Sequence, residues 1–328
     1  MELEGLLHTV GRATGPGYAA RPISGSSLHF VGRDAEGFPV IMLGARDSPQ
    51  ALTPPLHLHA IDVQFAVLCQ VSLPDGQCGE HRLSVMRCTS ADLELQRYFL
   101  KVVGVVVSLI GAAPAFTQVT GALRRVIELF QQLDRPPKRE LTGLYGELLL
   151  IMWSVSAKES LRAWRTDSVA RFDFSTGDAR IDAKASASRL RSHNFSLAQC
   201  RPPPGTTGLI ASLLLEPGTG ASVGDLVRKI EARLGSEVDL VVKLHEIVAN
   251  ALGVGLVEGL KFRFDERAAR ASLRWYFTAD IPSPQDPLSS AVSDVRFKSD
   301  LSAVGFRTRA EILKRAPDAG PILPQDWV

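Results

Sequence analysis

Twelve residues constrain this chain more than any others: Asp173-Phe174-Ser175-Thr176-Gly177-Asp178-Ala179-Arg180-Ile181-Asp182-Ala183-Lys184. Apolar and polar side chains alternate on both sides of Gly177-Asp178, the mark of two short β-strands joined by a tight turn. Phe172 and Phe174 point one way and Asp173 the other. Across the turn, Ile181, Ala183 and Ala185 share one face, and Asp182 and Lys184 share the opposite one. A two-residue turn with glycine first suits a type II′ hairpin. Counting back from it pairs Thr176 with Ala179, Ser175 with Arg180, Phe174 with Ile181 and Asp173 with Asp182. Residues directly opposite lie roughly 4.5–5.5 Å apart at Cβ, so two carboxylates are expected to face each other with an ammonium one step along.

Like charges placed directly opposite destabilise a hairpin. A hard divalent cation held between Asp173 and Asp182 would remove that cost. Mg²⁺ suits such a site, because it is commonly held by one or two carboxylates with waters and phosphate oxygens completing the shell. Lys184 could then orient a water or stabilise phosphoryl charge. The plainer alternative is a solvent-facing hairpin whose acids never meet.

The flanks add further chemistry. A helix is expected from Glu140 to about Ser156, with Leu144, Leu148 and Ile151 as its apolar stripe and Glu147 as an acid on a heavily apolar surface. Gly143 and Gly146 weaken that helix but permit a close approach by the hairpin. Asp167 is a spare acid that could replace Asp173 in a different register. After Lys184 comes a run of hydroxyls, arginines and an amide, the groups that contact phosphate oxygens. Arg189 and Arg191 are the candidates for gripping a phosphate backbone, and His193 either contacts phosphate or fixes the loop.

Asp173, eight intervening residues, then Asp182-Ala183-Lys184 resembles the PD-(D/E)XK nuclease signature. The segment Gly143-Leu144-Tyr145-Gly146-Glu147-Leu148-Leu149-Leu150 resembles the helix that precedes the hairpin in many of these enzymes, and Glu147 matches its metal-facing acid. More narrowly, the chain resembles a bacterial group of PD-(D/E)XK proteins encoded beside restriction and phage-defence genes. Its further marks are Arg191 to Ser196 with Gln199, Ser222 to Val227, and a late stretch from Ile281-Pro282 to Asp300-Leu301-Ser302. Phe172 stands where the pattern has proline, and Asp182 stands where glutamate is commoner, which shortens the reach to a metal by one methylene. The resemblance implies Asp173, Asp182 and Glu147 as metal ligands, Lys184 as the residue that orients the attacking water, and Mg²⁺, replaceable by Mn²⁺, as cofactor. It also implies DNA as substrate, with an ATPase and a methyltransferase as partners.

Bulk properties set the frame. The chain has 328 residues, 45% of them hydrophobic and 22% charged, with a net charge of +2. It is long enough for one large domain or two ordinary ones and carries no global field that announces a nucleic-acid binder. Cys69, Cys78, Cys88 and Cys200 lack close spacing and fit reduced thiols. No signal peptide is evident at Met1-Glu2-Leu3-Glu4, and the apolar run Val102 to Ala113 is too short to span a bilayer. A cytoplasmic protein without membrane attachment is therefore expected.

The expected fold class is α/β (α+β), in two domains. Residues 1–134 form a β-rich α+β module with an interaction or DNA-positioning role. Residues 135–328 form a restriction-endonuclease-like core, a mixed central sheet flanked by helices, with a C-terminal strand extension. Asp134 to Lys138 is the break between them. His57-Leu58-His59 puts two imidazoles on one strand face, better read as a surface face than as a metal pair, because no third ligand is near. Gly208 to Leu215 reads as a central strand, and Gly259–Phe264 and Ala271–Phe277 read as later ones with Lys261, Arg263 and Arg274 on exposed faces. No phosphate loop and no repeat is present. The chain reads as a metal-dependent DNA endonuclease. The alternative is a catalytically inactive DNA-binding or scaffold subunit with the same fold. RNA as substrate and the oligomeric state, a homodimer included, stay open.

Overall fold

The computed structural model describes residues 3–15, 17–47, 53–58, 60–133, 141–167, 170–188, 190–284 and 293–325. The chain divides into two compact units, Met1–Pro136 and Pro137–Val328. The Asp134 to Lys138 break lies outside the described residues, as do His59 and Arg189.

The first unit begins with α1 (Leu3–His8), then β1 (Tyr18–Pro22), β2 (His29–Arg33), β3 (Pro39–Leu43), β4 (Thr53–His57), β5 (Ile61–Ser72) and β6 (Cys78–Cys88). Helices α2 (Leu93–Ile110) and α3 (Phe116–Leu133) follow. The strands form one sheet in the order β1-β2-β3-β6-β5-β4, and β1 also pairs in parallel with β5. That extra pairing, Tyr18 with Val71 and Ala19 with Ser72, closes five strands into a ring. A bulge in β5 makes this possible. Register shifts between Gln64 and Val67, where Ala66 takes a φ of 49°, and the bend lets the first half of β5 pair with β4 and the second half with β1. Phe30, Val40, Met42, Val71, Leu83 and Val85 fill the space within. The N-cap of α2 is Asp92, whose carboxylate accepts from the Glu94 and Leu95 amides at 2.8 and 3.3 Å; Ser90 instead accepts from the Asp92 amide.

The second unit runs α4 (Leu141–Trp153), α5 (Ala157–Ala163), β7 (Phe174–Thr176), β8 (Ala179–Ser186), β9 (Ser192–Ser196), α6 (Leu197–Cys200) and β10 (Thr207–Leu214). It continues with β11 (Pro217–Ser222), α7 (Val223–Leu234), α8 (Val238–Leu252), α9 (Leu256–Lys261), β12 (Arg263–Phe264), α10 (Glu266–Ser272), β13 (Arg274–Phe277), β14 (Arg296–Asp300) and α11 (Arg309–Arg315). Four strands form a mixed sheet in the order β13-β10-β8-β7. β10 lies parallel to β8 and antiparallel to β13, and its Leu209, Ile210, Ala211 and Leu213 are fully buried. Two smaller ribbons, β11–β12 and β14–β9, complete a mixed α+β architecture.

Three expectations change. The alternation at Gly259–Phe264 is overruled by α9, so strand is confined to Arg263 and Phe264. Lys261 then pairs with Glu258 at 3.0 Å and Arg263 with Asp225 at 3.1 Å, which removes the basic strand face. The strand at Ala271–Phe277 begins only at Arg274, because Asp265 caps a helix over Glu266–Ser272. The polar run after Lys184 is strand β9, paired with β14 from Ser192–Asp300 to Ser196–Arg296. One helical stretch among the described residues, Val238–Lys261, is apolar and long enough to cross a membrane by composition alone, but it is mostly buried inside the protein.

Helix α4 sits on β8, and its two glycines differ. A Cβ at Gly146 would lie 2.8 Å from the Ala185 Cβ, so only glycine permits this approach. A Cβ at Gly143 would meet nothing within 4 Å. Gly143→Ala should therefore stabilise the fold by about 0.5–1 kcal/mol through helix propensity. Gly146→Ala should destabilise it by about 1–3 kcal/mol by forcing α4 off the sheet. Urea unfolding of both variants checks this; equal effects would show that the α4–β8 spacing does not depend on Gly146.

Candidate functional site

The hairpin β7–β8 has the register that its turn dictates. Phe174 pairs with Ile181, Ser175 with Arg180 and Thr176 with Ala179. Gly177 supplies the positive φ, 38°, and Asp318 packs against it and accepts from the Asp178 amide at 3.0 Å. Strand β7 is three residues long and β8 is eight, so β8 outruns its partner. At that point the side chain of Asp173 takes over from the missing strand. Its Oδ2 accepts from the backbone amide of Ala183 at 2.7 Å. Asp173 and Asp182 are both buried, at 2% and 3% exposure, which rules out the solvent-facing hairpin.

Burial of carboxylates demands compensation. Asp182 Oδ1 accepts from Gln199 Nε2 at 3.0 Å, and Lys184 Nζ lies 2.7 Å from Asp182 Oδ2. Lys184 also reaches Gln199 Oε1 at 3.5 Å and sits 5.3 Å from the centre of the Phe195 ring. Gln199 is itself fixed by the capping box of α6, where its amide oxygen accepts from Ser196 N at 3.0 Å.

Glu147 comes from α4 and is 3% exposed. Its Oε2 accepts from the indole nitrogen of Trp164 at 2.5 Å. Helix α5 ends at Trp164, whose backbone is extended and bridges to Phe174, and the two aromatic rings stack at 6.4 Å. The bridge carries the next residue, Arg165, onto the site: its backbone amide donates to the Asp173 carbonyl at 2.9 Å. The Arg165 guanidinium lies 2.6 Å from Asp173 Oδ1 and 3.9 Å from Glu147 Oε1. Three carboxylates thus face two cations, leaving one excess negative charge among these five side chains. Burial first, and then Asp173, push the Asp182 carboxyl up to about 7, against the pull of Lys184 and Arg165.

The ladder stops at Phe174–Ile181, so the expected strand pair of Asp173 with Asp182 is not part of it; the two acids remain neighbours through the Ala183 bond, and Arg165 and Lys184 answer their charges. Asp167 is exposed and not part of the site. Trp164 and Arg165 carry no pattern in the sequence that marks them. Gln199 stands among the resembling residues, without a role that spacing could assign.

Arg191 and His193 turn inward, against their reading as phosphate contacts. Arg191 donates through Nη1 to the Ser212 carbonyl at 3.1 Å and hydroxyl at 2.9 Å, and through Nη2 to the Ser272 carbonyl. His193 is 5% exposed, with Nε2 2.8 Å from Ser212 Oγ. Strand pairing explains both, since an alternating strand against β14 must bury one of its faces. Arg189 lies outside the described residues.

The donors suit a hard cation. Asp173 Oδ1 and Asp182 Oδ2 are buried and accept no hydrogen bond; each meets its cation only in ion-pair contact. A metal such as Mg²⁺ would have to share or take over these oxygens from Arg165 and Lys184. Among the described residues no group of three or more His, Cys, Asp or Glu side chains is arranged to hold a metal, so solvent and substrate oxygens would have to complete the shell. The family described as "Putative PD-(D/E)XK family member, (DUF4420)" matches residues 6–302, most of the chain. No curated protein and no solved structure matches it.

His193 provides a pH test of the inward-facing network. Burial first, then Lys184 and Arg191, hold it well below the ordinary 6.5, at about 4. It is neutral in the fold, so its contribution is full above pH 6.5 and is lost as pH falls from 6.5 through 4. His193→Gln should be less stable than wild type at pH 8. The gap should narrow on acidification by up to roughly 3 kcal/mol. Thermal melts of both proteins from pH 8 to 4 measure it; a gap independent of pH would show that His193 is not held neutral.

Proposed function

The chain belongs to the family described as "Putative PD-(D/E)XK family member", and from that premise we propose that it is a metal-dependent DNA endonuclease. One observation carries the reading: Asp173 and Asp182 are buried side by side at a hairpin end, each with an oxygen that accepts no hydrogen bond, and Lys184 Nζ stands 2.7 Å from the second. Asp173 and Asp182 would hold Mg²⁺ or Mn²⁺. When bound, the metal supplies Lewis-acid neutralisation of phosphoryl charge and lowers the pKa of a coordinated water. Lys184, held by Asp182, Gln199 and the Phe195 face, would orient the attacking water and stabilise the negative charge on the phosphoryl oxygens. Glu147, anchored by Trp164, acts as a brace for Arg165 and for water beside the metal. The family resemblance supports a place in a bacterial restriction or phage-defence system in the cytoplasm, with an ATPase and a methyltransferase as partners.

A second reading, a scaffold subunit that binds DNA without cutting it, draws on the same ion pairs, because Arg165 on Asp173 and Lys184 on Asp182 give both aspartates a counterion without metal. Plasmid cleavage by the purified protein in Mg²⁺, alone and with its genetic neighbours, separates the two. Lys184→Ala should lower turnover by about 10²–10³-fold while DNA and metal still bind, because it removes a group that acts in the transition state. Asp182→Asn should abolish Mg²⁺ binding in calorimetry. No cleavage in any combination, with Asp182→Asn leaving the system's function intact, would establish the scaffold instead.

A further inference from the structure

The proposed metal ligand Asp173 has only two oxygens, and one is already engaged. Oδ2 accepts from the Ala183 amide, a bond that replaces strand pairing where β7 ends. The other, Oδ1, accepts no hydrogen bond and is the oxygen 2.6 Å from the Arg165 guanidinium. Oδ1, which takes no part in the Ala183 bond, is the oxygen that a metal would draw on. We propose that Arg165 is the built-in counterion of this site: it pairs with Asp173, and at longer range with Glu147, when no metal is present, and a divalent cation displaces it from Asp173 Oδ1. The inference rests on the metal reading above and adds a residue that sets the metal affinity.

The rest of Arg165 is fastened in place. Its backbone amide donates to the Asp173 carbonyl at 2.9 Å, and its Nη1 donates to the Ala170 carbonyl at 2.8 Å. The Trp164–Phe174 bridge holds the chain just before it. The side chain cannot drift far, so its charge remains close when it yields the oxygen. Glu147 Oε1, 3.9 Å away, gives the displaced guanidinium a nearby carboxylate. Glu147 would then act on the metal indirectly, by receiving the arginine. The arrangement exchanges affinity for stability: the metal-free site avoids a buried, unbalanced cluster of acids, and the metal binds more weakly than two open aspartates would allow.

The test needs no substrate. Full-length wild type, Arg165→Gln, Arg165→Lys and Asp182→Asn are titrated with Mn²⁺ by calorimetry and by electron paramagnetic resonance, without DNA, and melted in EDTA and in Mn²⁺. Glutamine can still donate to Asp173 but carries no charge. Arg165→Gln should bind Mn²⁺ about five- to tenfold more tightly than wild type, the equivalent of losing one weak, partly exposed competitor. It should also melt lower in EDTA, with the difference closing in Mn²⁺. Arg165→Lys, which keeps the charge, should stay within about twofold of wild type. A glutamine variant that folds only with Mn²⁺ supports the proposal, because the metal then replaces the missing cation; one that folds in neither condition overturns it. Unchanged or weaker Mn²⁺ binding by Arg165→Gln, with binding still lost in Asp182→Asn, overturns the role of Arg165 alone. Binding untouched by Asp182→Asn overturns the metal site itself.

Discussion

Three carboxylates buried in one region of the second unit set the terms for everything around them. Glu147, Asp173 and Asp182 are each no more than 3% exposed, and ionised acids in such surroundings are costly unless paired and hydrogen-bonded. The local structure answers each one. Ala183 and Arg165 answer Asp173, Gln199 and Lys184 answer Asp182, and Trp164 answers Glu147. Burial first, and then the neighbouring Asp173 carboxylate, lift Asp182 to about 7 against the pull of Lys184 and Arg165. A site that is nearly but not fully neutral suits a divalent cation better than a fully neutralised one would.

Those groups arrive from separate elements, and the packing of the unit exists in part to bring them together. Helix α4 presses on β8 through Gly146, which brings Glu147 to the sheet. The end of α5 bridges to Phe174 and delivers Trp164 and Arg165. The one-turn helix α6 presents Gln199 through a capping box rather than through its own length. The ribbon β9–β14 covers the lysine with Phe195, and a half-buried Arg191 forms a network with the buried His193 and Ser212. Rigidity close to the reacting groups is a requirement of charge stabilisation, since groups that must reorganise contribute less.

The first unit follows a different logic. Its sheet closes on itself through β1 and β5, which covers the outer edge of β1 and leaves β4, paired with β5, as the edge strand among the described residues. The closure depends on one bulge at Ala66, held by Ser84 Oγ on its amide at 3.3 Å and by Arg82 on its carbonyl at 2.8 Å. His57 lies on β4 with its Nδ1 2.9 Å from Asp62 Oδ1, a hydrogen-bond contact at the surface.

The hairpin was legible in the sequence because every determinant of it is local. A two-residue turn with glycine at positive φ and a strict period of two leave one register, and that register puts Asp173 opposite Asp182 and Lys184 on the face of Asp182. The apolar helix with Glu147 was legible for the same reason. Alternation misled where it was short: Gly259–Phe264 obeys the strand pattern but lies in a segment that α9 claims, because tertiary packing overrides a weak local preference. Only the tertiary structure could assign Trp164, Arg165 and Ser212 to the site and its surroundings, since nothing in their own neighbourhoods says which distant acid or histidine they meet. The inward turn of Arg191 and His193 was likewise decided from afar, by β14 more than a hundred residues away pairing with a stretch that reads as a polar loop. Local geometry determined which acids face each other; long-range packing decided which cations stand between them.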